Sequence, residues 1–291
     1  AESRKQKKEK NSIMNTHQLK EIVRQKYSDI ASQEGNDTSC CGFGCCSPDV
    51  TSVMSDDYSK LEGYSPDADL GLGCGLPTQF AKIKTGDIVI DLGSGAGNDA
   101  FIARHETGET GKVIGIDFTD AMISRARQNA EKLGFHNVEF RNGDIESMPV
   151  TDNTADVIVS NCVLNLVPDK NAVMKEIFRV LKNGGHFSIS DIVLEGELPD
   201  DIRNAAEMYA GCVSGAIQKK DYLDIIEANG FQNITVQKDK PIILPDSVLT
   251  EYLSQEQIET FKKSGAGIRS ITVYAEKSTE KKSCCGPECC N

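Results

Sequence analysis

No stretch of this chain approaches the roughly 18 consecutive apolar residues that a membrane-spanning helix needs, and its basic residues are in deficit. Lys and Arg number 32 against 44 Asp and Glu, a formal net charge of −12 over 291 residues. A surface built to neutralise phosphates concentrates positive charge, so this balance argues against nucleic acid and against membrane surfaces as partners. The leader AESRKQKKEKNSIMNTHQLK is basic without an apolar stretch, unlike a secretory signal or an anchor, so the chain reads as cytoplasmic and the leader is set aside from the fold. Histidine is scarce, at 4 residues. Cysteine is plentiful, at 11. A chain of this length buries a full core without covalent staples. In a reducing compartment its thiols are then metal ligands or redox reagents before they are structural bridges.

From residue 87 onward strand-like runs alternate with helical periods: DIVIDL, KVIGID, NVEF, ADVIVS and HFSISDIV. That rhythm predicts a parallel sheet with crossover helices. In AMISRARQNAEKL, Met122, Ile123, Ala126, Ala130 and Leu133 share one face. VMKEIFRVLKNGG predicts a helix running to Lys182 and stopped by Gly184 and Gly185. ELPDDIRNAAEMYAGCVSGAIQKKDYLDIIEANGF reads as two helices, and FQNITVQ and IRSITVYAEK as two more strands around a helical insert. The expectation is an α/β fold with a seven-stranded, mostly parallel sheet covered on both faces. Its predicted parts are a flexible Cys-rich segment at 1–56, a cofactor-binding core at 57–190, a helical substrate-binding insert at 191–235, C-terminal strands at 236–276 and a Cys-rich tail at 277–291. The clusters CCGFGCC and CCGPECC share the pattern C-C-x-x-x-C-C, which is not ordinary zinc-ribbon spacing.

DIVIDLGSGAGNDA places Asp91, Gly93, Gly95 and Gly97 at the end of the first strand, where glycines let the backbone turn and approach a ligand closely. A dinucleotide fingerprint would carry glycine at position 98, which is Asn98 here, and Asp91 and Asp99 would repel a pyrophosphate. S-adenosylmethionine, with its ammonium and sulfonium, suits an acidic loop. Asp117, closing the second strand, is placed to accept from both ribose hydroxyls. Asp144 can reach the adenine amino group, with Ile145 and Met122 as apolar walls. Each aspartate alone is also a plausible strand end or helix cap; three at successive strand ends form a pattern. Residues 86–192 resemble the seven-stranded, Rossmann-like class I methyltransferases, and the resemblance implies Asp91, Gly93, Gly95, Asp117, Met122, Asp144 and Asn161 as cofactor contacts. Tyr58 and Tyr64 read either as a cover for the methionine end or as part of a plain linker.

Three isolated cysteines remain: Cys74 in GLGCGLP, Cys162 in SNCVLNLVPD after the fourth strand, and Cys212 in YAGCVSGA. Methyl transfer needs an aligned lone pair, and most such enzymes add a base to expose it. The four histidines lie outside these loops and no other base is obvious. Trivalent arsenic on thiolates keeps its own lone pair, has no proton to lose and prefers sulfur ligands. With DLGSGAGND, the motifs GCGLP, SNCVLNLVPD and GCVSGA are similar to those of the arsenite methyltransferases over roughly residues 40–235. The resemblance implies Cys162 and Cys212 as arsenic ligands with Cys74 as third thiol, and arsenite and methylated trivalent arsenicals as substrates. It further implies a redox disulfide from Cys74 to one of Cys40, Cys41, Cys45 or Cys46, with Cys45 and Cys46 favoured, reopened by an external thiol reductant or thioredoxin. Competing expectations are a methyltransferase with a non-metalloid acceptor and a metalloid-binding protein without turnover.

Overall fold

Successive residues of the run IVIDL alternate between two apolar layers, as a strand covered on both faces requires. In the computed structural model, which describes residues 16–32, 56–199, 213, 215–246, 249, 250 and 253–279, this run is β1 (Ile88–Leu92). It pairs in parallel with β2 (Lys112–Asp117) on one side and β4 (Ala155–Asn161) on the other. Beyond β2 lies β3 (Val138–Asn142), and beyond β4 lies β5 (Leu181–Glu195), both parallel. With β6 (Phe231–Ile242) and β7 (Gly267–Lys277) the strands form one sheet of order β3-β2-β1-β4-β5-β7-β6, and β7 runs antiparallel to both neighbours. The expected seven-stranded, mostly parallel sheet is the one observed.

Among the described residues, helices whose full ranges are described are α1 (Thr16–Ala31), α2 (Pro77–Phe80), α3 (Asn98–Thr107), α4 (Asp120–Leu133), α5 (Lys170–Val180), α6 (Lys219–Ala228) and α7 (Gln255–Ser264). Val89, Val113, Val157 and Val159 pack on Ala100 and Phe101 of α3 and on Ile123 and Ala126 of α4. On the opposite face Ile90, Ile114, Ile158 and Phe187 meet Val173, Met174 and Ile177 of α5 and Tyr222 and Ile226 of α6. Phe187 stands edge-on to Phe231 at 4.9 Å between centroids, tying β5 to the start of β6. Because β1 crosses over to β2 on one side and borders β4 on the other, the strand order reverses there, and a crevice opens at the carboxyl ends of β1 and β4.

Four local expectations differ from the fold. α5 ends at Val180, because Leu181 already pairs with Ala155 at the start of β5 and Gly184, at φ 79°, lies inside that strand's irregular first stretch. Leu133 is exposed at the last position of α4, where the chain turns away at Gly134; Asn129 takes the inward place and donates to Ala96 O at 3.1 Å. Within 191–235, Asp191–Glu195 belong to β5, held by β7 as far as the Glu195–Gly267 pair, and the strand β6 begins at Phe231. Residues 200–212 lie outside the described residues, as do the cysteines at 40, 41, 45 and 46 and the C-terminal cluster. Finally, Thr16–Ala31, inside the segment expected to be flexible, is a helix packed against α4, with Arg125 donating to Ala31 O at 3.3 Å.

Candidate active site

The loop from β1 to α3 is left-handed at three glycines, with φ of 66° at Gly93, 50° at Gly95 and 103° at Gly97. A Cβ at Gly93 would stand 2.4 Å from the Val163 side chain, whereas one at Gly95 would meet open space. The second glycine therefore faces the cleft. Asp117 accepts from Gly95 N–H at 3.1 Å and from Thr119 N–H at 2.8 Å, so both its oxygens are oriented by backbone at the rim. Asp91 is 2% exposed, and its Oδ2 has no partner among the described residues; Ser94 Oγ and Asn98 Oδ1 are likewise unpartnered. Buried polar groups ordinarily find partners, so three orphans lining one cleft mark a place for a polar ligand. Burial, then the neighbouring Asp99 and Asp117 carboxylates, push Asp91 well above the usual carboxylate range. Burial raises Asp99 to about 6, opposed by hydrogen bonds from Asn161 and Tyr58. The cleft combines these acids with apolar walls from Leu70, Phe118, Ile145 and Val163, the composition of a small-molecule site.

A thiol corner closes one end of this cleft. Cys74 and Cys162 are joined by a disulfide with their Cα atoms 5.9 Å apart, and both are buried. Asn161 Oδ1 accepts from the Cys74 N–H at 3.0 Å. The amide nitrogen of Asn161 donates to Gly75 O at 2.8 Å, to Asp99 Oδ2 at 3.1 Å and to the Tyr58 hydroxyl. Tyr58 donates in turn to Gly75 O at 2.9 Å and to Asp99. The glycines around Cys74 follow from this packing, since a Cβ at Gly73 would reach Asn161 at 2.7 Å and one at Gly75 would reach Ser190 at 2.5 Å. Cys162 adopts φ 58°, an uncommon conformation for a residue with a side chain. Val213, adjacent in sequence to Cys212, lies in the same apolar cluster as Cys74 and Cys162.

Residues 83–230 match the methyltransferase domain family. The chain is 38% identical over 273 residues to the arsenite methyltransferase of Halobacterium salinarum, covering 89% of this chain and 67% of that one. It belongs to the arsenite methyltransferase family. Human arsenite methyltransferase is 39% identical over 55% of this chain and 44% of its own length, and the Aquipseudomonas alcaligenes enzyme is 38% identical over 62% and 54%. The chain thus spans about half of these two longer relatives. The crystal structure of an arsenic(III) S-adenosylmethionine methyltransferase from Chlamydomonas reinhardtii superposes with a TM-score of 0.60 at 30% identity, covering 80% of this chain and 75% of that one. The fold is accordingly the Rossmann-like class I methyltransferase fold expected from the motifs.

Of the residues singled out in the sequence, Asp91, Gly93, Gly95, Asp117, Asp144, Ile145, Asn161 and Cys162 line this family cleft. Cys74 abuts it through its bond to Cys162. Met122 is fully buried and is not among the residues that line it, where Phe118 presents an apolar wall. Tyr58 lines the cleft, whereas Tyr64 packs behind it beside Leu76 and Ile102. Cys45, Cys46 and Cys212 lie outside the described residues. His105 is paired with Glu62 at 2.6 Å and His186 with Ala81 O at 2.6 Å, both away from the cleft.

The leader contributes what the sequence did not announce. Lys20 and Tyr27, seven apart on one face of α1, reach over the cleft, and Lys20 pairs with Asp144 at 2.5 Å and with Glu146. The signal was the helical spacing Lys20, Val23, Tyr27 hidden in a basic stretch. The glycine loop yields a direct prediction. Gly93→Ala must adopt a left-handed φ and displace Val163, so it is expected to lower unfolding free energy by at least about 1–2 kcal/mol from the backbone alone. Urea unfolding of parent and variant at matched pH measures it.

Proposed function

We propose that this chain methylates trivalent arsenic with S-adenosylmethionine, giving mono- and dimethylated arsenicals, and so serves arsenic detoxification. The observation that carries the proposal is the buried Cys74–Cys162 pair at the end of an acid-lined cleft. The cleft's donor set fits a cationic nucleoside: an orphaned Asp91 oxygen and Asp99 for the ammonium and sulfonium end, Asp117 for ribose hydroxyls, and Asp144 with Ile145 and Phe118 for the adenine. S-adenosylmethionine supplies an electrophilic methyl group. Asn161 and Tyr58 hold the Cys74 loop against that end of the cleft, which brings thiol and cofactor sites within one wall.

In this reading arsenic(III) sits on the thiolates of Cys162, Cys212 and Cys74, and its lone pair takes the methyl group, so no base is needed. Forming the arsenic–carbon bond with that lone pair makes the arsenic formally pentavalent. Two of the thiolates then leave as a disulfide, their two electrons returning arsenic to the trivalent state, while hydroxide from water fills a vacated position. The Cys74–Cys162 bond is the product such a step would leave. Exchange with a thiol of the 40–46 cluster, Cys45 or Cys46, would free Cys162, and an external thiol or thioredoxin would reduce the new bond.

The test is incubation of reduced protein with arsenite and S-adenosylmethionine, following S-adenosylhomocysteine and arsenic species together. Both products rising in step is the expected result. Cofactor consumed without methylated arsenic would point to a non-metalloid acceptor, and arsenite bound without cofactor consumption would make the protein a metalloid buffer.

A further inference from the structure

Lys170 opens α5, where the helix dipole disfavours a cation, and its burial lowers its pKa as well. Two costs at one residue require compensation. Its ammonium donates to Gly215 O at 2.8 Å, and the buried Asp191 of β5 supplies opposing charge. Asp191, raised to about 7 by burial, also accepts from Ile192 N–H at 3.0 Å and from the Tyr222 hydroxyl at 3.4 Å. Around this pair the segment after Cys212 is fastened at several points. Leu194 N–H donates to Ile217 O at 2.9 Å, and Gln218 Nε2 donates to Gly196 O at 2.9 Å. Gly215 is seated so closely that a Cβ there would stand 1.9 Å from Asn165 O. Asn165 belongs to the 3-10 turn Leu164–Leu166, which closely follows Cys162, and it donates to Ile192 O at 2.7 Å. Val213 completes the seam by packing in the apolar cluster that contains Cys74 and Cys162.

We propose that Lys170 and Gly215 are positioning residues for arsenic: together they hold the backbone just after Cys212 against the turn just after Cys162. This rests on the arsenic reading given above. Neither residue touches the cleft, so their effect falls on the substrate thiols and spares the cofactor. Lys170→Met keeps the side chain's bulk and removes its charge and hydrogen bond. Gly215→Ala forces the segment off Asn165.

Each variant is compared with the parent in arsenite methylation, in S-adenosylmethionine binding, and in the ultraviolet absorbance of arsenite bound to thiolate. The expected result is a rise of roughly 10-fold in half-saturating arsenite for both variants, the usual effect of losing a group that orients a ligand. kcat at saturating arsenite and cofactor affinity should stay near the parent's, and Lys170→Arg should recover most of the loss. Arsenite dependence unchanged in both variants would overturn the proposal, as would cofactor affinity falling in step with arsenite affinity, the pattern of a merely structural role. Should Lys170→Met not fold, Gly215→Ala carries the same test. A parent that binds arsenite without methylating it would refute the catalytic reading alone, and the absorbance titration would still decide the positioning role.

Discussion

Replacing Cys162 by serine is expected to lower arsenite methylation by about 100-fold or more while cofactor binding survives. Serine is nearly the same size and keeps the loop that sits at φ 58°, so the wall it shares with Asn161 and Val163 should persist. The Asp91, Asp99 and Asp117 carboxylates are untouched. A hydroxyl, however, does not ionise near neutral pH and is a hard oxygen, whereas arsenic(III) selects sulfur. Cys74→Ser should behave differently. If Cys74 donates electrons through the bond seen to Cys162, a first methyl transfer can still occur, but repeated turnover should depend on added dithiol. Single-turnover and steady-state assays of the two variants side by side separate ligand from reductant. Cys162→Ser with activity close to the parent's would sink the thiolate-bound nucleophile and favour an acceptor other than a metalloid.

Much of the frame was legible because its signals are local and periodic. The runs DIVIDL, KVIGID and ADVIVS carry enough β-branched residues to be read as strands, and at or next to the end of each stands a polar residue that lines the cleft: Asp91, Asp117 and Asn161. What escaped depended on contacts far apart in sequence. Met122 falls on the apolar face of α4, and helix phase alone does not say whether such a residue meets the sheet or the ligand; its side chain is fully buried. Lys20 was invisible because its partners Asp144 and Glu146 lie more than a hundred residues away, and its own segment is otherwise charged. In the sequence Asp99 signals no more than a loop that repels phosphate. Its closeness to Tyr58 and Asn161, and so to Cys74, arises from a turn of helix α3 that the sequence does not orient. The family resemblance implies that Cys74 pairs with a cysteine of the 40–46 cluster. The bond described here is to Cys162, and the two pairings are compatible only as successive states of one exchange.

Cofactor binding should release protons, and affinity for S-adenosylmethionine should therefore rise with pH. Without cofactor Asp99 titrates at about 6, and Asp91 is pushed well above the usual carboxylate range, because burial and neighbouring carboxylates disfavour the charged forms. An ammonium and a sulfonium favour those charged forms, so binding is weak where the acids hold protons and strengthens as pH passes through their folded values. The stability of the empty protein moves the opposite way. Unfolded aspartate titrates near 3.9, about two units below Asp99 in the fold. Stability contributed by these groups is thus complete below about 4 and is lost as pH rises through 6 and beyond. Asp91→Asn removes one buried charge, so it should raise the melting temperature of the empty protein at slightly alkaline pH. The same change should weaken cofactor binding by about 2–5 kcal/mol, the usual consequence of truncating one partner of a buried charge pair. Calorimetry in two buffers of different ionisation enthalpy counts the protons directly. Heat that is independent of buffer, with affinity flat between about pH 5.5 and 7.5, would show that the acids are already ionised in the empty cleft. The orphaned Asp91 oxygen would then need a resident partner other than a proton.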